Sequence, residues 1–125
     1  MPRIVMIDDE EDLLKVTHNL LGKKGFEISC FTEWEKAEEA ITLNPPHLIL
    51  LDVFLAGVDG LEVCKRLRAS PTTRHIPIIM LSGYPKVGGA AIYEFGADEF
   101  ISKPFEEDDL IEKIHTVLSR HHQST

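Results

Sequence analysis

Apolar residues fall along this chain in two alternating rhythms. Short runs of strand length, RIVMI (3–7), FEISC (26–30), HLILL (47–51), IPIIM (76–80) and EFIS (99–102), mostly rich in Ile, Val or Phe, predict five β-strands. Between them the apolar positions spread to helical spacing. Leu13, Leu14, Val16, Leu20 and Leu21 mark the first helix, Trp34, Ala37, Ala40 and Ile41 the second, and Leu61, Val63, Cys64 and Leu67 the third. Leu110, Ile111, Ile114, Val117 and Leu118 mark the last, and the HHQST after it (121–125) reads as a frayed tail to a domain spanning 1–120. The fourth helix, in PKVGGAAIYEFG, carries Gly88 and Gly89. Each costs roughly 1 kcal/mol relative to alanine in a helix interior, so this helix is expected to be short, frayed or mobile. Gly25, Pro45, Pro46, Pro71, Pro77, Gly96 and Pro104 punctuate the joints, with no repeat or linker between them.

Five strands alternating with five helices, several strands apolar enough to be buried on both faces, predict a doubly wound α/β domain with a parallel sheet. In such a sheet every strand's C-terminal end lies along one edge, where open α/β folds hold their ligands.

Composition narrows the partners. With 125 residues the chain suits one domain, and 21 acidic against 13 basic residues give a net charge of −8, which opposes nucleic-acid and anionic-membrane contact. The apolar runs are too short for a membrane span and the N-terminus is acidic, so a cytoplasmic protein is expected. Cys30 and Cys64 lack CxxC spacing and sit among apolar neighbours, as buried free thiols do. Trp34 reads as a helix-face packing residue.

The chemistry lies in the residues just beyond the strand ends. RIVMI leads into Asp8, Asp9, Glu10 and Glu11; HLILL into Asp52; IPIIML into Ser82; EFIS into Lys103. The second strand runs out in Cys30 and Phe31, which offer nothing reactive. Four chemical strands and one barren one fit the flavodoxin-like order 2-1-3-4-5, with the barren strand at an edge. Asp59 before Gly60 reads as the cap of the third helix, and taken singly each strand-end residue also has a plainer reading: helix-dipole acids at Asp8 to Glu11, a turn at Asp52, a cap or turn at Ser82, a surface lysine at Lys103. Their joint placement points instead to phosphoryl transfer. Converging carboxylates call for a cation, oxygen ligands with room for water suit Mg²⁺, and a lysine suits the phosphoryl oxygens. A carboxylate is then the nucleophile.

The pair Asp8 and Asp9 in MIDDEED, Asp52 in ILLDVFLAGVDGLEV, Ser82 in IIMLSG and Lys103 in ISKPF together resemble the receiver domain of two-component response regulators, in the single-domain form of the chemotaxis regulators. The resemblance covers essentially the whole chain. It implies that Asp52 accepts a phosphoryl group from a sensor histidine kinase or a histidine phosphotransfer protein, and that Asp8, Asp9, Asp52 and the backbone carbonyl of Phe54 hold Mg²⁺. It implies that Ser82 and Lys103 contact the phosphoryl group, that Lys103–Pro104 is a cis peptide, and that Phe100 is an aromatic switch working with Ser82. Phe100 fits equally well as a strand aromatic packed in the core. Helix 4, strand 5 and helix 5 would then present a protein-interaction face to a downstream target.

The chain departs from the family pattern at Ala56, where proline is common and whose absence is expected to loosen the loop, and at Gly83, which leaves the phosphoryl site open on one side. Phe54 and Tyr84 occupy positions that in this family tune water's access to the phosphoaspartate. Two alternatives stay open: a phosphorylation-independent module that keeps the fold, and an aspartate-nucleophile phosphatase of the haloacid dehalogenase type. The latter asks for a second aspartate where this chain has Phe54. A histidine metal site is weaker, because His18, His47, His75, His115, His121 and His122 show no ligand spacing. No output domain comes after the last helix, which suits either a stand-alone receiver or part of a longer protein.

Overall fold

The computed structural model describes residues 1–123. Its elements are β1 (Arg3–Ile7), α1 (Glu11–Lys23), β2 (Glu27–Phe31), α2 (Trp34–Leu43), β3 (Leu48–Asp52), α3 (Gly60–Ala69), β4 (Ile78–Ser82), α4 (Gly88–Tyr93), β5 (Glu99–Ser102) and α5 (Glu107–Gln123). The strands form one parallel sheet in the order β2-β1-β3-β4-β5, the flavodoxin-like order expected from the barren second strand.

The two-residue side-chain period of a strand divides the core. Ile4, Met6, Leu48, Leu50, Ile79 and Leu81 point to one face, where Leu14 and Leu21 of α1 and Leu110, Ile114 and Val117 of α5 cover them. Val5, Ile7, Ile49, Leu51, Ile78 and Met80 point to the other, beneath Trp34, Ala37 and Ile41 of α2, Val63, Cys64 and Leu67 of α3, and Ala91 of α4. Every residue of β3 and β4 is buried, whereas the edge strands β2 and β5 are largely half-buried. Complete burial of one such side chain stabilises by about 1.5–3 kcal/mol, so the central strands are the fixed frame of the molecule.

The structure refines several expectations. Asp52 and Ser82 are the last residues of their strands, paired in register with Leu81 and Ser102, and not the first residues of loops. β4 starts at Ile78 because Pro77 lacks an N–H and the Ile76 carbonyl accepts from Arg68 instead. Val16 does not belong to the buried face of α1: it is 56% exposed, and Thr17, at 1%, takes the place between Leu14 and Leu21. Spacings of three and four put 14, 17 and 21 on one stripe, while two residues turn the helix nearly to its far side. Cys64 is buried but Cys30 only half so, its thiol facing the Leu14 carbonyl; burial pushes both thiols up to about 11, and both are free. Trp34 is a buried packing residue, in line with its place on the helix face.

α4 is short, six residues after a 3₁₀ turn at Pro85–Val87. The segment after β3 is tighter than Ala56 suggested: Phe54–Leu55 pairs antiparallel with Val58–Asp59 around Ala56 and Gly57, the latter at φ +73°. Asp59 caps α3, its Oδ1 accepting from the Leu61 N–H at 2.9 Å. α5 continues to Gln123, three residues into the stretch read as a tail, of which Ser124 and Thr125 lie outside the described residues. Among the described residues no helix is long and apolar enough to cross a membrane.

Arg68 of α3 ties the sheet edge opposite the strand C-termini. Its guanidinium donates to the carbonyls of Gly96 (2.7 Å), Arg74 (3.1 Å) and Ile76 (2.5 Å) and pairs with Asp98, which also accepts the Ile78 N–H at 2.8 Å. Gly96 sits at φ +88°, and a Cβ there would lie 2.9 Å from the Arg68 side chain. Arg68→Ala is expected to destabilise the fold by about 2–4 kcal/mol in urea denaturation, since it strands several acceptors at once, most of them part-buried. Arg68→Lys is expected to recover little, because one ammonium does not reproduce the fork.

Candidate functional site

Each chemical side chain is held by backbone bonds at the C-terminal edge of the sheet. Asp8 comes directly after β1 and its N–H donates to the Phe31 carbonyl at 3.1 Å, so the barren β2 still fixes the acidic turn. Asp8 is fully buried and its Oδ1 accepts the Glu10 N–H at 2.9 Å. Glu10 is the N-cap position of α1, and Glu11 and Asp12 fill the first turn. The helix dipole therefore accounts for Glu11 and Asp12, while Asp8 and Asp9 stand before the helix.

Asp52 ends β3 with 5% exposure, and its Oδ1 accepts the Phe54 N–H at 3.3 Å. Gly60, the first residue of α3, is pressed onto the same backbone: its N–H donates to the Val53 carbonyl at 2.7 Å, and a Cβ on it would fall 2.1 Å from the Asp52 carbonyl oxygen. The sequence suggested a capping turn here, but what requires glycine is this close approach. Carboxylate oxygens of Asp8, Asp9 and Asp52 lie within 4.8 Å of one another, with Asp9 exposed and the other two buried.

Lys103 comes directly after β5, its N–H bonded to the Ser82 carbonyl at 2.8 Å, and the Lys103–Pro104 peptide is cis. Its Nζ stands 2.6 Å from Asp8 Oδ2, 3.4 Å from Asp52 Oδ2 and 3.4 Å from Glu10 Oε1. Glu10, whose side chain is exposed, is a partner that reading the acidic run did not single out. Burial opposes the Lys103 charge, but the hydrogen bond and charge of Asp8, with Asp52 and Glu10, more than offset it and raise its pKa. For Asp52 the balance differs. Burial first, then the charge of Asp8, lift its carboxyl from 3.8 to about 6 against the pull of Lys103 and the Phe54 N–H.

Among the described residues one ammonium, that of Lys103, stands against three close carboxylates, which leaves a surplus of negative charge. Hard oxygen donors, one exposed and two buried, fit a small divalent cation that keeps part of its water, as Mg²⁺ does.

The remaining predicted residues surround this cluster. Ser82 is buried, its Oγ accepting the Tyr84 N–H at 3.0 Å. Gly83 leaves open space, the nearest atom to a Cβ there being the Lys103 carbonyl oxygen at 4.0 Å. Phe54 and Tyr84 are both exposed and meet edge to face, ring centroids 5.1 Å apart at 73°. The loops after β3 and β4 therefore touch beside the site, a contact that sequence alone does not reveal. Phe100 is apart from the carboxylates, paired with Met80 in mid-strand and half-buried against the α2, α3 and α4 side of the core.

The family model for the response regulator receiver domain matches residues 4–115. The phosphate regulon transcriptional regulatory protein PhoB of Rhizobium meliloti (strain 1021) is 36% identical over 124 residues, 96% of this chain and 53% of that protein. The chain thus spans about half the length of this curated relative. A crystal structure of a putative response regulator from Chloroflexus aurantiacus J-10-fl superposes with TM-score 0.88 at 31% identity, covering 94% of this chain and 98% of that one. The signal receiver domain of a signal transduction histidine kinase from Syntrophus aciditrophicus superposes with TM-score 0.85 at 27% identity, covering 95% and 91%.

Because the folded-state pKa of Asp52 lies above its ordinary value, its charge opposes folding increasingly as pH rises from about 4 through about 6. Asp52→Asn is therefore expected to stabilise the protein by about 1–2 kcal/mol at pH 7, an effect that fades towards pH 4. Urea denaturation at the two pH values without divalent cations measures it.

Proposed function

The chain belongs to the response regulator receiver domain family, and from that premise we propose that it is a phosphoacceptor in two-component signalling, with Asp52 as the residue phosphorylated. The observation that carries this reading is the single ammonium of Lys103 set between Asp8 and Asp52 at the sheet edge. A mere scaffold has no need of such a costly cluster of buried charge.

In this reading Asp8, Asp9, Asp52 and the Phe54 carbonyl hold Mg²⁺, which when bound neutralises charge on the transferring oxygens. An Asp52 oxygen attacks the phosphorus of a phosphohistidine presented by a sensor histidine kinase or a histidine phosphotransfer protein. The P–N bond breaks, its electron pair leaves with the imidazole, and an acyl phosphate forms. Lys103 turns from the carboxylates to a phosphoryl oxygen, and Ser82 donates to another. The chain accepts the group and assists its own phosphorylation and dephosphorylation without turning over a separate substrate.

The apolar groove of about 470 Å³ between α1 and the segment after β5, lined by Leu13, Val16, Leu20, Pro104 and Phe105, adjoins Lys103 and Glu10. It gives a donor protein an apolar surface beside the acceptor, and accounts for the exposed Val16. A rearrangement at Ser82 and Phe100 would pass to the face formed by α4, β5 and α5, where a downstream protein binds. The acidic balance favours a protein target there, in cytoplasm, over nucleic acid or membrane.

Intact mass after incubation with acetyl phosphate tests the assignment. One added phosphoryl group is expected with Mg²⁺, and none with chelator or in Asp52→Asn; a protein that gains none, and fails to bind beryllofluoride, is instead a phosphorylation-independent module. The Phe54 and Tyr84 rings shield the acyl phosphate from water, so Phe54→Asn or Tyr84→Ala should speed its decay by roughly threefold or more. Unchanged decay in both would remove the shielding role.

A further inference from the structure

Gly88 opens α4 with ordinary right-handed helical angles, φ −57° and ψ −44°. Nothing in its backbone requires glycine, and glycine is among the poorest helix formers. Space requires it. A Cβ on Gly88 would lie 2.9 Å from Cδ1 of Phe100, 3.3 Å from Cγ and 3.4 Å from Cε1. The neighbouring Gly89 has the same helical setting and nothing within 4 Å of its Cβ position. Of two adjacent glycines in one short helix, the first is buried against an aromatic ring and the second is exposed with nothing beside it.

Phe100 has a second environment as well. With Ile101, Pro104, Phe105 and Glu112 it lines an open groove of about 540 Å³ between β5 and α5, to which Gly88 does not contribute. The atoms that crowd Gly88 belong to a side chain with free space beside it, and not to backbone.

We propose that Gly88 is a positioning residue: its missing side chain is the seat of the Phe100 ring, and through this contact the placement of α4 and the placement of the ring are coupled. The inference rests on the reading of Phe100 as the switch aromatic. With the seat open, the ring lies under α4; with the seat filled, the ring is driven into the groove beside α5. A seat that accepts the ring lets α4 pack against β5, and any displacement of α4 alters the room left for the ring. Coupling between the ring and the phosphoryl site is reciprocal, so a change that unseats the ring also weakens whatever binding favours the seated state.

The test compares the full chain carrying 4-fluorophenylalanine at position 100 with its Gly88→Ala and Gly89→Ala variants, by fluorine NMR and by beryllofluoride affinity in Mg²⁺. Gly88→Ala is expected to shift or split the fluorine resonance before any beryllofluoride is added, and to change beryllofluoride affinity roughly fivefold or more. Gly89→Ala is expected to keep the wild-type resonance and an affinity within about twofold of wild type, with a melting temperature raised by about 2–4 °C. An unmoved resonance in Gly88→Ala, or an equal shift in Gly89→Ala, overturns the seat. If Gly88→Ala does not fold, Gly88→Ala with Phe100→Leu decides: recovery of the fold supports the seat, and continued loss overturns it. Absence of beryllofluoride binding by the wild type counts against the phosphoacceptor reading, while the fluorine comparison still decides the seat.

Discussion

Charge confinement at one sheet edge governs this molecule. Asp8, directly after β1, and Asp52, the last residue of β3, are buried side chains at the ends of adjacent parallel strands, and among the described residues Lys103 is the cation that reaches both. The apolar core holds them there regardless of the repulsion: β3 and β4 are buried throughout, so Asp52 has no freedom to retreat into water. What the fold spends in holding the carboxylates together is available again when a cation or a phosphoryl group changes the charge count. Rigidity of the strands and reactivity of their ends are two sides of one arrangement.

The sequence revealed what depends on order along the chain. Strand and helix periods separate cleanly, and the residue after each apolar run shows which strands carry chemistry, so even the barren β2 could be put at an edge. It revealed less where distant segments meet. Arg68 and Asp98 are thirty residues apart, and nothing in either neighbourhood announces their pairing. The Phe54 and Tyr84 rings come from different loops, and only the parallel neighbours β3 and β4 bring them together. Gly60 was legible as a turn but not as the point where a helix presses on the backbone of Asp52. Val16 misled because hydrophobicity stood in for geometry; Thr17 has the right angle on the helix and buries its methyl group instead.

The relatives show the same fold in different settings. In PhoB of Rhizobium meliloti the match occupies about half of a transcriptional regulator, and in Syntrophus aciditrophicus a similar domain is described from a histidine kinase. A charged cluster confined to the strand ends of one domain suits such reuse, because all of its side chains come from within that domain. The surfaces around the site carry exposed aromatic and aliphatic groups: Phe54 and Tyr84 on one side, Val16 on the other.

The Arg68 tie lies at the far edge from all this. It fastens the end of α3, the approach to β4 and the turn before β5 into one knot. None of the donors and acceptors of this knot belongs to the acidic cluster, where Lys103 pairs with Asp8, Asp52 and Glu10. The bonds that fasten the base of the sheet and the charge carried at its rim are thus set by separate residues.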